Sequence, residues 1–385
     1  MRILCVNYEY PPLGGGAGNA TAHIAREMAR QGAKVQVMTS AFKGFSRHEQ
    51  TDGVTISRIP TIRRYEEKCS AWEMAVFMAS ACLYAPLLAR TFKPDAVIAF
   101  FGIPSGPSAW LCNLMRGTPY VVSLRGGDVP GFQPYDLARM HQLTGPLIRF
   151  LWNMAGAVVP NSSGLASLAR AFEPGLNYPV IPNGADTVLF SPRQVERRPG
   201  PVRLFCHGRV VYQKGLDVLI AALGLLAPDL RFELHIAGDG PQRAYLEGQA
   251  QALGVADRVF FRGWMRRPEL AGVMREMDVF VFASRDEGMS NAVLEAMASG
   301  LPVVATRIAG NDELVAPEET GLLVPPESPG ELASAISRLI QDETLRAAMG
   351  RAGREKVEEQ YSWSSVAARY LALCEGLCPG NHTRP

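Results

Sequence analysis

Several features are scarce in these 385 residues, and each absence narrows what the chain can be. The seven cysteines, at positions 5, 69, 82, 112, 206, 374 and 378, are scattered and odd in number. None forms Cys-x-x-Cys, a pattern expected of free thiols in a reducing compartment. Excess charge is nearly absent: a net +2, with no motif that reads RNA or DNA, argues against nucleic acid as a partner. There is no short internal repeat and no low-complexity tract, and 47% apolar with 20% charged residues is globular rather than disordered. No signal peptide precedes the apolar opening Met1-Arg-Ile-Leu-Cys-Val-Asn7, so the expected location is cytoplasmic. The Asn-x-Ser/Thr triplets at Asn19, Asn161 and Asn381 then carry no glycosylation meaning.

What is present is alternation of strand and helix signals. Apolar runs at 2–7, 34–39, 54–60, 95–100, 119–123, 157–160 and 179–182 read as strands with helical stretches between most of them. This pattern predicts a parallel doubly wound sheet. The Pro-rich, basic stretch 191–201 reads as a linker, and the pattern restarts at 202–207, 231–237, 259–262, 279–283, 302–305 and 321–324. The expected architecture is α/β, with two Rossmann-like domains, 1–190 and 191–361, facing each other across a cleft where ligands bind.

The most informative segment is Arg285-Asp-Glu-Gly-Met-Ser-Asn-Ala-Val-Leu-Glu295. Gly288 turns the chain after an apolar strand, and Ser290 is placed to cap a helix running to about residue 299. The free N–H groups of that helix start, around Met289, Ser290 and Asn291, favour a phosphate. Glu295 lies one turn in, on the face of Asn291, and leans back toward the helix start, within reach of ribose hydroxyls. Glu287 sits in the loop before it, available to a second polyol. Two carboxylates around a phosphate describe a nucleotide-sugar site, although most Glu pairs at this spacing are solvated surface residues.

Four further clusters lie at strand ends. Pro11-Pro-Leu-Gly-Gly-Gly-Ala-Gly18 precedes a helix expected over 19–30, and Gly15 and Gly16 permit a close backbone approach to phosphate or sugar. Its glycine spacing departs from Gly-x-Gly-x-x-Gly, which disfavours a nicotinamide cofactor. His207-Gly-Arg-Val-Val-Tyr-Gln-Lys-Gly215 offers Arg209 and Lys214 as two fixed cations suited to a diphosphate, against the reading of an exposed basic loop. No Asp-x-Asp occurs, which favours these cations over a metal as the stabiliser of diphosphate charge, so neither metal nor cofactor is expected. Ile236-Ala-Gly-Asp-Gly-Pro241, containing Gly238, leads from a strand toward a helix beginning at Pro241, and a structural turn explains it equally well. Ile181-Pro-Asn-Gly-Ala-Asp186 most simply makes a turn.

Taken in order, Arg209…Lys214-Gly215, Gly238-Asp-Gly-Pro241, Glu287-Gly-x-Ser…Glu295-Ala-Met-Ala-x-Gly-x-Pro-Val-Val-Ala305 and Pro182-Asn-Gly-x-Asp186…Phe190 resemble glycosyltransferase family 4. These are retaining, nucleotide-sugar-dependent enzymes of the GT-B fold, and the likeness spans nearly the whole chain. The resemblance implies that Glu287 contacts the transferred sugar, Glu295 the ribose, and Arg209 with Lys214 the diphosphate. It implies that Gly15 and Gly16 approach donor or acceptor, that Trp264 lies near the nucleobase, and that a last helix over about 362–376 crosses back onto the first domain. Asn183 draws its functional reading from the resemblance alone. In Val121-Val-Ser-Leu-Arg-Gly-Gly-Asp128, Arg125 stands where the family often has His. Arg cannot act as a base at neutral pH, so Arg125 contributes through fixed charge if it contributes. Asp128 reads as an acceptor-side residue or as a turn residue.

The expected activity is transfer of a sugar from a UDP- or GDP-sugar to an acceptor hydroxyl on a glycan or lipid-linked acceptor, in cell-envelope or exopolysaccharide synthesis. The alternatives are a nucleotide-sugar epimerase or a non-catalytic nucleotide-sugar-binding subunit on the same fold. The apolar stretch 71–89, preceded by Arg58, Arg63, Arg64 and Lys68, is broken by Pro86 and falls short of the ~20 residues of a spanning helix. It reads as a buried helix, with peripheral attachment to an anionic membrane as the rival.

Overall fold

A computed structural model describes residues 1–66, 69–132, 134–194 and 199–378. Lys68, residues 195–198 of the expected linker and Asn381 lie outside these. The chain divides into two compact units, Met1–Asn183 with Trp363–Pro385, and Gly184–Ser362.

In the first unit the strands are β1 (Arg2–Val6), β2 (Lys34–Ser40), β3 (His48–Thr51), β4 (Val54–Ile59), β5 (Ala96–Phe100), β6 (Tyr120–Ser123) and β7 (Ala157–Val159). They form one sheet in the order β3-β4-β2-β1-β5-β6-β7. All neighbouring pairs are parallel except β3 with β4. The central strands β1 and β5 are buried almost throughout, as a sheet covered by helices on both faces requires. Those helices are α1 (Gly16–Arg30), α2 (Ala71–Phe92), α3 (Gly106–Arg116), α4 (Pro134–Met154) and α5 (Ser163–Phe172). One core joins the sheet to α2, α3, α4 and α5, and another joins it to α1 and the chain's last helix.

The second unit contains β8 (Val202–His207), β9 (Phe232–Ala237), β10 (Val259–Gly263), β11 (Val279–Phe282), β12 (Val303–Thr306) and β13 (Gly321–Val324). Their order is β10-β9-β8-β11-β12-β13, all parallel. Its helices are α6 (Leu216–Leu223), α7 (Arg243–Ala252), α8 (Arg267–Met274), α9 (Asn291–Ala298), α10 (Asn311–Leu314), α11 (Pro329–Gln341) and α12 (Glu343–Gln360). The strand order reverses between β8 and β11, the switch point at which doubly wound sheets bind ligands. The last helix, α13 (Trp363–Leu377), belongs to the first unit and packs on α1, where Trp363 stacks on His23 with ring centroids 5.0 Å apart.

Several expectations need correction. No strand forms at 179–182, because Pro179 and Pro182 bring no N–H to a ladder; Ile181 makes a single backbone bond to Pro160 O at 3.1 Å. The polar edge strand β3 was absent from the sequence reading and makes the first sheet mixed rather than wholly parallel. The first unit ends at Asn183 rather than 190, because Ala185 and Phe190 are buried in the core of the second unit. The helix expected at Pro241 begins at Arg243, and α1 begins at Gly16 rather than at 19. The stretch at 71–89 is one helix through Pro86, and only part of its circumference is buried.

Candidate active site

Most of the second-unit residues expected to bind the donor converge after β8 and β11, on either side of the switch point. Leaving β8, the chain passes Gly208 and Arg209 to a single 3-10 turn at Tyr212–Lys214 before α6 begins. Leaving β11, it runs through Ser284–Glu287 to α9. These two loops are laced together. Arg285 N–H donates to Gln213 O at 2.8 Å, Gln213 Nε2 donates to Asp286 O at 2.7 Å, and Ser284 Oγ lies 3.0 Å from Gln213 O. Arg285 forms a two-pronged pair with Asp217 (2.9 and 2.8 Å), an ion pair with Glu327, and lies 3.8 Å over the ring of Tyr212. Such forked geometry is rigid, so the loop of Lys214 is fixed relative to the loop of Glu287.

Within this frame Lys214 forms an ion pair with Glu287, whose carboxylate also accepts from Ser284 Oγ at 2.8 Å. Arg209 is exposed, with one long bond to Gln213 Oε1 at 3.3 Å, and is able to turn toward an anion. Arg209 and Lys214 line one small cavity with His207, Gly208, Phe282 and Ala283.

The start of α9 follows the sequence reading. Ser290 caps it, its Oγ accepting the Val293 N–H at 3.3 Å; Asn291 opens the helix and Met289 is buried beside it. Glu295 is buried within α9 and has a setting that local sequence does not disclose. Arg267 Nη1 lies 2.8 Å from Glu295 Oε1, and His207 Nε2 lies 3.4 Å from Oε2. Burial pushes the Glu295 carboxyl above its ordinary range, and the Arg267 cation opposes that rise. Burial, with Lys214 and Arg267 nearby, lowers the His207 imidazole from 6.5 to about 3, so it is neutral at physiological pH. Local sequence gives Arg267 no role and shows His207 only as the start of a basic loop. The available signal for Arg267 was a pair of arginines before Pro268 at a helix start.

Gly238 has a packing reason. A side chain there would lie 1.9 Å from Gly208 O, and its φ is +136°. The loops after β8 and β9 therefore touch backbone to backbone. Gly238 N–H also donates to Gly263 O at 2.7 Å, which brings the loop carrying the largely exposed Trp264 alongside.

In the first unit, Gly15 precedes α1 as its cap residue, Gly16 opens the helix, and a side chain at Gly15 would meet nothing within 4 Å. Arg125 donates to Asn183 Oδ1 at 2.6 Å and to Tyr370 Oη at 3.3 Å, and lies 4.9 Å over the Phe100 ring. It therefore ties Asn183 and α13 to the sheet. Asp128 is buried and accepts backbone N–H groups from Gly102, Arg125 and Gly126 at 2.8, 2.9 and 3.1 Å, the pattern of a residue that shapes its own turn. Burial raises its carboxyl, and those amides pull it back.

Comparison with known proteins places the chain in a family. Residues 201–342 match the family described as glycosyl transferases group 1, and residues 15–184 match the glycosyl transferase 4-like domain. The chain is 29% identical to a glycogen synthase of Mycobacterium tuberculosis, over 98% of this chain and 96% of that protein. It is 28% identical to the GDP-mannose-dependent alpha-(1-6)-phosphatidylinositol monomannoside mannosyltransferase of the same organism, over 97% and 98% of the two chains. Among solved structures, the sucrose-phosphate synthase of Thermosynechococcus elongatus superposes with a TM-score of 0.85 at 23% identity, covering 98% of both chains. The Anabaena protein HepE, solved with UDP and glucose, superposes at 0.74 with 20% identity, over 98% of this chain and 100% of that one. With its two doubly wound α/β units and both family domains in order, the chain belongs to the family 4-like, group 1 glycosyltransferases, enzymes of the GT-B fold that transfer sugar from a nucleotide-sugar donor.

Proposed function

We propose that this glycosyltransferase moves a hexose from a UDP- or GDP-sugar to a hydroxyl of a glycan or lipid-linked acceptor, with retention of configuration and without a metal. The observation that carries the reading is the lacing of the Lys214 and Glu287 loops into one rigid pair beside the capped start of α9, with Arg209 exposed on the first of them. In this scheme Arg209 and Lys214 bind the diphosphate and stabilise its charge as the C1–oxygen bond breaks. Glu287 orients the sugar, and Glu295 accepts hydrogen bonds from the ribose hydroxyls. Ser290, Asn291 and the α9 amides face the phosphates, with Met289 and Gly238 shaping the wall and Trp264 beside the base. Gly15 leaves open space for donor or acceptor, Gly16 opens α1 beside it, and Arg125 fixes Asn183 on the acceptor side.

Retention follows if the acceptor oxygen attacks C1 on the face that the diphosphate leaves, and the departing phosphate oxygen takes the acceptor's proton. This scheme needs no protein base, consistent with an Arg at position 125 and with a backbone-bound Asp128. A role in cell-envelope or exopolysaccharide synthesis at the cytoplasmic side of the membrane suits the phosphatidylinositol monomannoside mannosyltransferase relative.

The test is a thermal-shift screen of the protein against UDP, GDP, ADP and their common sugars, with and without EDTA. A ligand at about 100 times its dissociation constant adds roughly 2.7 kcal/mol of stability. A preference for one base that survives EDTA supports the reading, and NMR of the product's anomeric proton tests retention. No shift with any nucleotide, or a shift that EDTA abolishes, counts against it.

A further inference from the structure

The first unit carries an apolar surface that the transfer reaction does not use. In α2 the stripe Glu73, Phe77, Ala81, Ala85 and Ala89 is buried against the sheet. The opposite stripe holds the large side chains: Trp72, Leu83 and Leu87 are exposed at 69%, 71% and 54%. A core helix places its bulk inward, whereas α2 has mostly alanine inside and tryptophan with leucines outside. The helix α4 repeats the arrangement. His141, Gly145, Ile148 and Trp152 are buried, while Met140, Leu143, Leu147, Phe150 and Met154, spaced three and four residues apart, are exposed. Between the two stripes α3 exposes Leu114 and Met115, and its Trp110 meets Phe150 edge-on at 5.3 Å. All three helices cover the same face of the sheet, so the apolar side chains form one band.

Among the described side chains, the exposed unpaired charges of these three helices are cations. Arg90, Lys93, Arg116 and Arg139 are exposed on these helices or at their ends, and Arg149 is paired with Glu173. Among the described side chains of α2, α3 and α4 the one carboxylate is Glu73, buried in the Ser70 cap of α2. Exposed Trp, Phe and Leu bordered by unopposed cations complement the headgroup region of an anionic bilayer. We propose that the α2–α3–α4 face is a peripheral docking surface for an anionic lipid bilayer. The buried Phe77, Ala81, Ala85 and Ala89 keep α2 on the sheet, so the helix lies on the membrane rather than crossing it, although its length and composition would allow a span. This inference stands on the helix surfaces and is independent of which donor the enzyme uses.

The experiment is co-sedimentation of the full chain with vesicles of phosphatidylcholine alone or mixed with phosphatidylglycerol, at low and high salt. The expected result is binding to the mixed vesicles at low salt and release as salt rises. Leu83→Glu with Leu143→Glu, both at exposed positions, should lower the bound fraction about tenfold at an unchanged melting temperature. Arg90→Glu and Arg116→Glu should each lower affinity roughly fivefold or more. Equal binding to phosphatidylcholine alone overturns the proposal, as does undiminished binding by the double-Glu variant. No binding at low salt, with a lipid-free dimer that Leu143→Glu dissociates, also overturns it and identifies the face as a contact between copies of the chain.

Discussion

Lys214 and Glu287, 73 residues apart in sequence, form a largely shielded ion pair at the junction of the two loops that follow β8 and β11. A diphosphate approaching Lys214 must share it with Glu287, so the pair sets both the position of the cation and the orientation of the carboxylate. Lys214→Ala should lower kcat by roughly a hundredfold or more, the usual cost of removing a donor aimed at developing negative charge. Arg209→Ala should act in the same direction while leaving stability near wild type, because Arg209 is exposed and makes a single long bond. Near-normal turnover in either variant would remove that residue from the leaving-group role. A double-mutant cycle in urea for Lys214→Ala and Glu287→Ala should return a coupling of about 0.5–3 kcal/mol, and a value of zero would mean that the pair is incidental.

Glu295 is the nucleotide's expected partner, yet it already holds Arg267 at 2.8 Å. Glu295→Ala should weaken nucleotide binding about tenfold or more, since hydrogen bonds to a charged acceptor are among the stronger ones. Arg267→Ala leaves the carboxylate buried without its cation, which raises its proton affinity and should make nucleotide binding weaken as pH falls toward the acid range. Isothermal titration of both variants at neutral and mildly acid pH checks the pair. Unchanged affinity in Glu295→Ala would exclude the ribose assignment.

The sequence disclosed the α9 site because its signals are local. A buried strand run, a turn glycine and a serine cap occupy consecutive residues, and Glu295 follows Asn291 by one helical turn. Arg267 and His207 reach Glu295 from a different helix and a different strand, and no periodicity in either segment points there. The strand expected at 179–182 misled for the opposite reason. Its apolar residues are real, but the flanking prolines remove the donors that a ladder needs, and burial of Ile181 explains the pattern. The edge strand β3, His-Glu-Gln-Thr, has no apolar alternation at all and is held by pairing with β4. The outward leucines of α2 look like a buried helix in sequence, because composition does not report which side of a helix meets the sheet.

His207 gives the stability of the second unit a defined pH dependence. The folded imidazole titrates near 3, while an unfolded histidine titrates near 6.5. Protons therefore bind the unfolded chain first, and the contribution from neutral His207 is complete above pH 6.5 and lost as pH falls toward 3. Urea melts at pH 8, 6, 5 and 4 should show stability declining through that window by on the order of a few kcal/mol from this group. His207→Gln removes the titration and should flatten the decline there, whatever it does to stability at neutral pH. An unchanged slope in the variant would assign the acid sensitivity to other groups.

Gly15 and Gly238 both read as glycines that admit a ligand, but their surroundings make opposite predictions. At Gly238 an added methyl would overlap the Gly208 carbonyl oxygen at 1.9 Å and its carbon at 2.9 Å, on a backbone with φ of +136°. Backbone atoms of a neighbouring loop cannot step aside as a flexible side chain can, so Gly238→Ala should destabilise the second unit by about 4 kcal/mol or more. Gly15→Ala, with φ of −123° and nothing within 4 Å of the new methyl, should change stability by no more than about 0.5 kcal/mol. If the open space at Gly15 admits substrate, Gly15→Ala should nonetheless lower kcat/KM while its melting temperature stays at the wild-type value. Loss of activity that tracks loss of stability in both variants would make both glycines packing residues, and normal activity in a stable Gly15→Ala would place the substrate elsewhere.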